Sequence, residues 1–90
     1  MSYTNIKYSL VITERAAKEL KRMPSAWKMR IIAKLNLLAK APRGPNNNAK
    51  PLVGSSSFRL RVGDYRIIYE IDDAARVLTV TAAGMRGRLY

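Results

Sequence analysis

The sequence predicts an α+β fold: an N-terminal strand, a helical hairpin, then a three-stranded antiparallel meander. Two patterns carry this. Apolar residues alternate with period two near the N-terminus and again from residue 57 onward, as in strands with one buried face. Between those stretches they recur three and four residues apart, the stripe of an amphipathic helix, and Pro24 divides that stretch in two. Size is the third observation. Ninety residues with 48% hydrophobic content predict a single domain over 1–90 with enough apolar side chains to build a core.

Each element has a local reason. In Asn5 to Thr13, Ile6, Tyr8, Leu10 and Ile12 share one face and Lys7, Ser9 and Val11 the other, which predicts a strand. Thr13 is suited to cap a helix N-terminus, and Glu14 falls where the helix dipole favours negative charge. Ala16, Ala17, Leu20 and Met23 then space a helix from Glu14 to Met23. Pro24 ends it, and Ser25 is the expected cap of a second helix over Ala26 to Lys40, with its stripe on Trp27, Ile31, Ile32, Leu35, Leu38 and Ala39. Ala41 to Pro51, dense in Pro, Gly and Asn, reads as a loop. From Ser57 to Val62, Phe58, Leu60 and Val62 alternate with Ser57, Arg59 and Arg61. Gly63-Asp64 is a two-residue turn in which Gly can take a positive φ. Tyr65 to Ile71 is the partner strand, Asp72 to Arg76 a turn, and Val77 to Ala83 a last strand that Gly84 is expected to break. The first strand should add at a sheet edge, with the helices packed on one face.

Composition narrows the chemistry. With 17 Lys+Arg against 6 Asp+Glu, the chain carries +11 and should attract a polyanion or an acidic protein. It has no Cys and no His, which excludes disulfides, thiolate metal sites, thiol nucleophiles and imidazole acid–base catalysis. The carboxylates Glu14, Glu19, Asp64, Glu70, Asp72 and Asp73 are scattered over cap, turns and strand rather than gathered as a two-metal nuclease requires. No metal or cofactor is expected. The N-terminus lacks the pattern of a signal peptide, and no apolar run approaches the ~20 residues of a membrane span. A cytoplasmic protein with no membrane partner is therefore expected.

The hairpin turn sets a register that gathers cations. If Gly63-Asp64 closes the loop, Val62 pairs with Tyr65, Arg61 lies opposite Arg66, and Arg59 lies opposite Ile68 on the same face. Opposed like charges destabilise a sheet, so the cluster suggests an anion site, and Arg suits bidentate phosphate recognition. A solvated basic face is the other reading. Arg86, Arg88 and Tyr90 follow the last strand. A phenol beside several Arg side chains is favoured as phenolate, which offers a proton acceptor in a chain without His; a frayed end is the alternative.

ERAAKELKRM after the first strand, the hairpin FRLRVGDYRIIYEI and the closing AGMRGRLY together resemble the RelE/ParE superfamily of bacterial and archaeal toxins, over nearly the whole chain. That family's fold has the element order derived above. On the RelE branch the resemblance implies an mRNA interferase that cleaves mRNA in the ribosomal A site through attack of the 2′-OH, leaving a 2′,3′-cyclic phosphate. The family's basic hairpin residues fall on Arg59, Arg61 and Arg66, its arginine after the last strand on Arg86, and its C-terminal tyrosine on Tyr90. Arg66 is then expected to hold phosphate, Arg86 phosphate or leaving group, and Tyr90 to accept the proton with Arg59 and Arg61 tuning it. Arg88, Lys50 and Arg43 are looser candidates for RNA contact. Many relatives carry His where Met85 stands and Lys where Arg59 and Arg61 stand, which makes a proton-transfer role for those two arginines unsuitable.

The resemblance also implies a cognate acidic, RelB-like antitoxin, the ribosome and mRNA as partners. Operator DNA is expected only through the antitoxin, because the chain shows no recognition helix of a helix-turn-helix. Two other readings remain: a ParE-like DNA gyrase inhibitor of the same fold, and a non-catalytic basic RNA- or ribosome-binding module.

Overall fold

In the computed structural model, which describes residues 7–44 and 48–85, a five-stranded mixed sheet carries two helices on one face. Chain order is β1 (Ser9–Ile12), α1 (Glu14–Lys21), α2 (Ser25–Lys40), β2 (Ala49–Pro51), β3 (Phe58–Val62), β4 (Tyr65–Asp72) and β5 (Val77–Met85). Strand order across the sheet is β1-β5-β4-β3-β2. The meander β3-β4-β5 is antiparallel, and β1 adds at its edge parallel to β5, Ser9 opposite Val77 and Ile12 opposite Val80. Asn5 and Ile6, expected to open the first strand, lie outside the described residues.

The helices form for the reasons read from the sequence, with corrected ends. Thr13 caps α1, its hydroxyl accepting from the Ala16 N–H at 3.2 Å, and Glu14 sits in the first turn. The α-helix closes at Lys21 rather than Met23; a short turn follows, in which the Met23 N–H bonds the Leu20 carbonyl, before Pro24. Ser25 is not the cap of α2. Pro24 holds that position with extended backbone and no side-chain cap bond, and Ser25 is the first helical residue. Proline's fixed φ and missing N–H suit a helix entrance, so the corner needs no hydroxyl.

Two sheet expectations are corrected. Ala41 to Pro51 is not all loop: Ala49–Pro51 form β2, antiparallel to β3. β5 does not stop at Gly84, because β4 supplies a partner there: Arg66 pairs with Gly84 and Tyr65 with Met85. A bulge accompanies this. β4 pairs Ile68 with Ala82 and Tyr69 with Val80, so Thr81 is skipped.

One core lies between the helices and the sheet. Ala16 and Leu20 of α1 and Ile31, Leu35 and Leu38 of α2 meet Leu60, Val62, Ile67, Tyr69, Leu78, Val80 and Ala83. Burying each large aliphatic side chain contributes roughly 1.5–3 kcal/mol. Gly63 has φ +59°, and a Cβ there would overlap the Trp27 ring, lying 2.6 Å from Cζ3. Trp27 in turn packs on Tyr65, ring centroids 5.2 Å apart. The turn that sets the hairpin register is thus clamped by α2. No helix among the described residues is long and apolar enough to cross a membrane.

Candidate functional site

The sheet face turned away from the helices carries the cations. Residues opposite one another in a sheet share a face, so the register defines two rows. One runs Lys50, Arg59, Ile68, Ala82 across β2, β3, β4 and β5. The other runs Arg61, Arg66, Gly84, beginning where the Arg61 N–H donates to the Asn48 carbonyl at 2.8 Å. Arg61 lies opposite Arg66 and Arg59 opposite Ile68, as the turn predicts. Lys50 and Arg61 are exposed, and Arg59, Arg66 and Ile68 half-buried. Glu70 bounds the patch further along β4, where the Ser57 hydroxyl approaches its carboxylate at 3.5 Å.

The sequence matches a known family. Residues 10–90 fit the family described as "ParE toxin of type II toxin-antitoxin system, parDE". The chain belongs to the RelE/ParE superfamily of type II toxins. The mRNA interferase toxin RelE of Escherichia coli strain K12 is 30% identical over 81 residues, which cover 90% of this chain and 85% of that protein. The isolated E. coli RelE toxin superposes with a TM-score of 0.77 at 26% identity, covering 90% of this toxin and 86% of that chain. The archaeal RelE–RelB complex from Pyrococcus horikoshii gives a TM-score of 0.79 at 26% identity, over 92% of this toxin and 99% of that chain.

The toxin's other candidate residues divide. Lys50, read from sequence as part of a loop, is brought opposite Arg59 by β2 and joins the cationic face. Arg43 is not on that face. It lies on the helix side at the far end of the sheet, 5.4 Å from the Phe58 ring, its Nη2 at 2.7 Å from Asp73 Oδ2. Tyr8 donates its hydroxyl to Asp73 Oδ1 at 2.7 Å. Hydrogen bonds from Arg43 and Tyr8 hold the Asp73 carboxyl below the usual range, and Asp73 in turn raises the Tyr8 phenol and the Arg43 guanidinium. Asp72 makes the turn bond expected of the pair, accepting from the Ala75 N–H at 2.9 Å, whereas Asp73 ties three segments together. Arg86, Arg88 and Tyr90 lie outside the described residues.

Glu19 escaped the sequence reading. Its spacing suggests a helix surface charge, yet its side chain is 25% exposed and Oε1 accepts from the Ala83 N–H at 2.9 Å. Leaving such a buried amide unpaired costs about 1–3 kcal/mol. Glu19 also borders a cleft of about 310 Å³ with Arg22, Met23, Tyr65 and Met85, at the end of β5. Its position one residue before Leu20, on the flank of the buried α1 stripe, was the available signal.

Proposed function

We propose that this toxin is a ribosome-dependent endoribonuclease that cleaves mRNA in the A site and halts translation, without a metal ion. The observation that carries the reading is the Arg61–Arg66 cross-strand pair, with the Lys50–Arg59 row beside it on one sheet face. Attack of a 2′-OH on the neighbouring phosphorus builds charge on the phosphoryl oxygens. Guanidinium groups already in place stabilise that charge better than they stabilise the ground state. The product of such an attack is a 2′,3′-cyclic phosphate. The likeness to E. coli RelE, itself named an mRNA interferase, supports the same reading.

The proton acceptor is argued by elimination. Burial pushes the Tyr69 phenol up, and the bond to Asp73 pushes Tyr8 up, so both are poor acceptors near neutral pH. Tyr65 is half-buried against Trp27. Among the described residues no three acidic groups converge. Tyr3 goes with the first strand in the sequence, which leaves Tyr90 in the arginine-bearing tail, a ribosomal group or substrate-assisted transfer; we take Tyr90, with Arg86 contacting phosphate or leaving group and Arg88 the RNA. The ribosome supplies substrate orientation, a large share of the barrier in such reactions.

Its partners are then the ribosome, mRNA and a cognate RelB-like antitoxin, as in the RelE–RelB complex from P. horikoshii. The +11 charge steers association with an acidic segment of the antitoxin, and operator DNA is contacted only through the antitoxin. The setting is the cytoplasm, and the working unit is one domain over 1–90.

A second reading, inhibition of DNA gyrase, is favoured by the ParE description of the matched family. Primer extension on a translated message after induced expression separates the two. Cuts within the message are expected, and Tyr90→Phe should bind ribosomes yet lose most cleavage. Intact messages alongside DNA breaks would establish the gyrase reading instead.

A further inference from the structure

We propose that Glu19 is a positioning residue for the cationic site, acting through the backbone of β5. Its catalytic consequence rests on the ribonuclease reading above; its mechanical one rests on the fold alone. β5 has β4 along one side for its whole length, but β1 along the other only from Val77 to Val80. Past Val80 the chain of β1 has turned into α1, and polar groups of the cap and helix take the place of a strand. The Thr13 N–H donates to the Val80 carbonyl at 3.0 Å, and the Thr13 hydroxyl reaches the Thr81 carbonyl at 3.4 Å. Glu19 Oε1 then accepts from the Ala83 N–H at 2.9 Å. These contacts carry the ladder on to residue 83.

The last of them matters most. Ala83 is 2% exposed, so its amide has little recourse to water. A carboxylate is a stronger acceptor than a neutral carbonyl, and Arg15, one turn earlier, lies 3.6 Å from the other Glu19 oxygen. The bulge at Thr81 lies just before this point, where β5 changes which residues face the core. Ala83 then packs inward, and Gly84 comes opposite Arg66. Without the Glu19 acceptor, Ala82 to Met85, past the bulge, keep their ladder on the β4 side and only packing on the α1 side. That stretch sets the strand end beside Arg66 and leads directly into Arg86. Catalytic constellations tolerate displacements of only about 0.5 Å, so the clamp sets the precision of the site.

The test uses the full chain with Glu19→Leu and Glu19→Gln. Amide exchange at Ala83 is read beside single-turnover cleavage and binding on programmed ribosomes. The Leu variant should melt cooperatively, exchange the Ala83 amide roughly tenfold faster, cleave roughly tenfold more slowly, and bind ribosomes as the parent does. The Gln variant keeps a carbonyl acceptor and should recover most of both effects. A Leu variant with parental protection at Ala83 overturns the clamp, and one with fast exchange but parental cleavage overturns the positioning role. A Gln variant as slow as Leu also overturns it, because the acceptor is then not what matters. If the parent itself leaves messages intact, the ribonuclease reading fails separately, and exchange in the Leu variant alone decides the clamp: fast supports it, parental overturns it.

Discussion

Arg43 and Arg61 stand at opposite ends and on opposite faces of one sheet, in contrary surroundings. Arg43 is neutralised. Its Nη2 lies 2.7 Å from Asp73 Oδ2 and its Nε 3.4 Å from Oδ1, with the Phe58 ring beneath it and Tyr8 bonded to the same carboxylate. Arg61 lies opposite Arg66 across a strand pair. Directly opposed like charges cost up to ~1 kcal/mol, and stability alone does not select them. The first setting joins three segments of the chain; the second brings two cations opposite each other on one sheet face. In a chain of net charge +11, what tells the two arginines apart is the sign of the neighbour the fold gives each.

The largest expected effect lies at the like-charged pair. Arg66→Ala should leave a folded protein and slow ribosome-programmed cleavage by about 10²–10³, the usual loss for one transition-state donor. A folded variant with parental toxicity would make this face an ordinary solvated surface and erase the contrast. Next comes the turn that creates the pair. Gly63→Ala must adopt a positive φ and push Trp27 aside, and should cost about 2 kcal/mol or more, roughly 10 °C in thermal midpoint. A midpoint within a degree of the parent would mean that the strands set the register without the turn.

The smallest effect belongs to the paired end. Asp73→Asn removes an exposed carboxylate and should lower the midpoint only slightly at neutral pH. Its signature is pH dependence. Asp73 has a lowered folded pKa, so its contribution is present above the ordinary carboxylate value and fades as pH falls through the lower folded one. Tyr8 has a raised pKa, so its contribution is present below the ordinary phenol value and fades as pH climbs through the higher folded one. Melting across a pH series should therefore show the parent's small advantage over Asp73→Asn shrinking at both extremes. A constant difference between the two would break the assignment of Asp73 as the hub.

Much of this was readable from residue order because it is set locally. Alternation from Phe58 to Ile71 and the Gly63-Asp64 turn determine which residues face each other, and the Arg61–Arg66 pair follows. What was not readable is set at a distance. Ala49–Pro51 has neither strand propensity nor length, and becomes β2 only because β3 offers it an edge. Gly84 reads as a breaker, yet Arg66 pairs with it. The skipped Thr81 leaves no mark in the alternation of an alanine-rich strand. Glu19 looks like a solvated helix charge until Ala83, far along the chain, comes under it. Lys50 could not be assigned to the cationic face until β2 existed.

The parallel pairing of β1 with β5 also governs the order in which this molecule can assemble. Thr13 and Thr81, 68 positions apart, meet at that seam. α1 and α2 and the β3–β4 hairpin depend on near neighbours and can organise early, whereas β1 waits for a partner made much later, with a large loop to close first. On a growing chain, β1 therefore keeps an unpaired, half-apolar strand until synthesis passes residue 80. The two rows of cations gain their β5 members, Ala82 and Gly84, only once synthesis has passed them. Completion of that sheet face is thus tied to the last-made strand, and the arginines of β3 and β4 stand on an unfinished sheet until β5 is added.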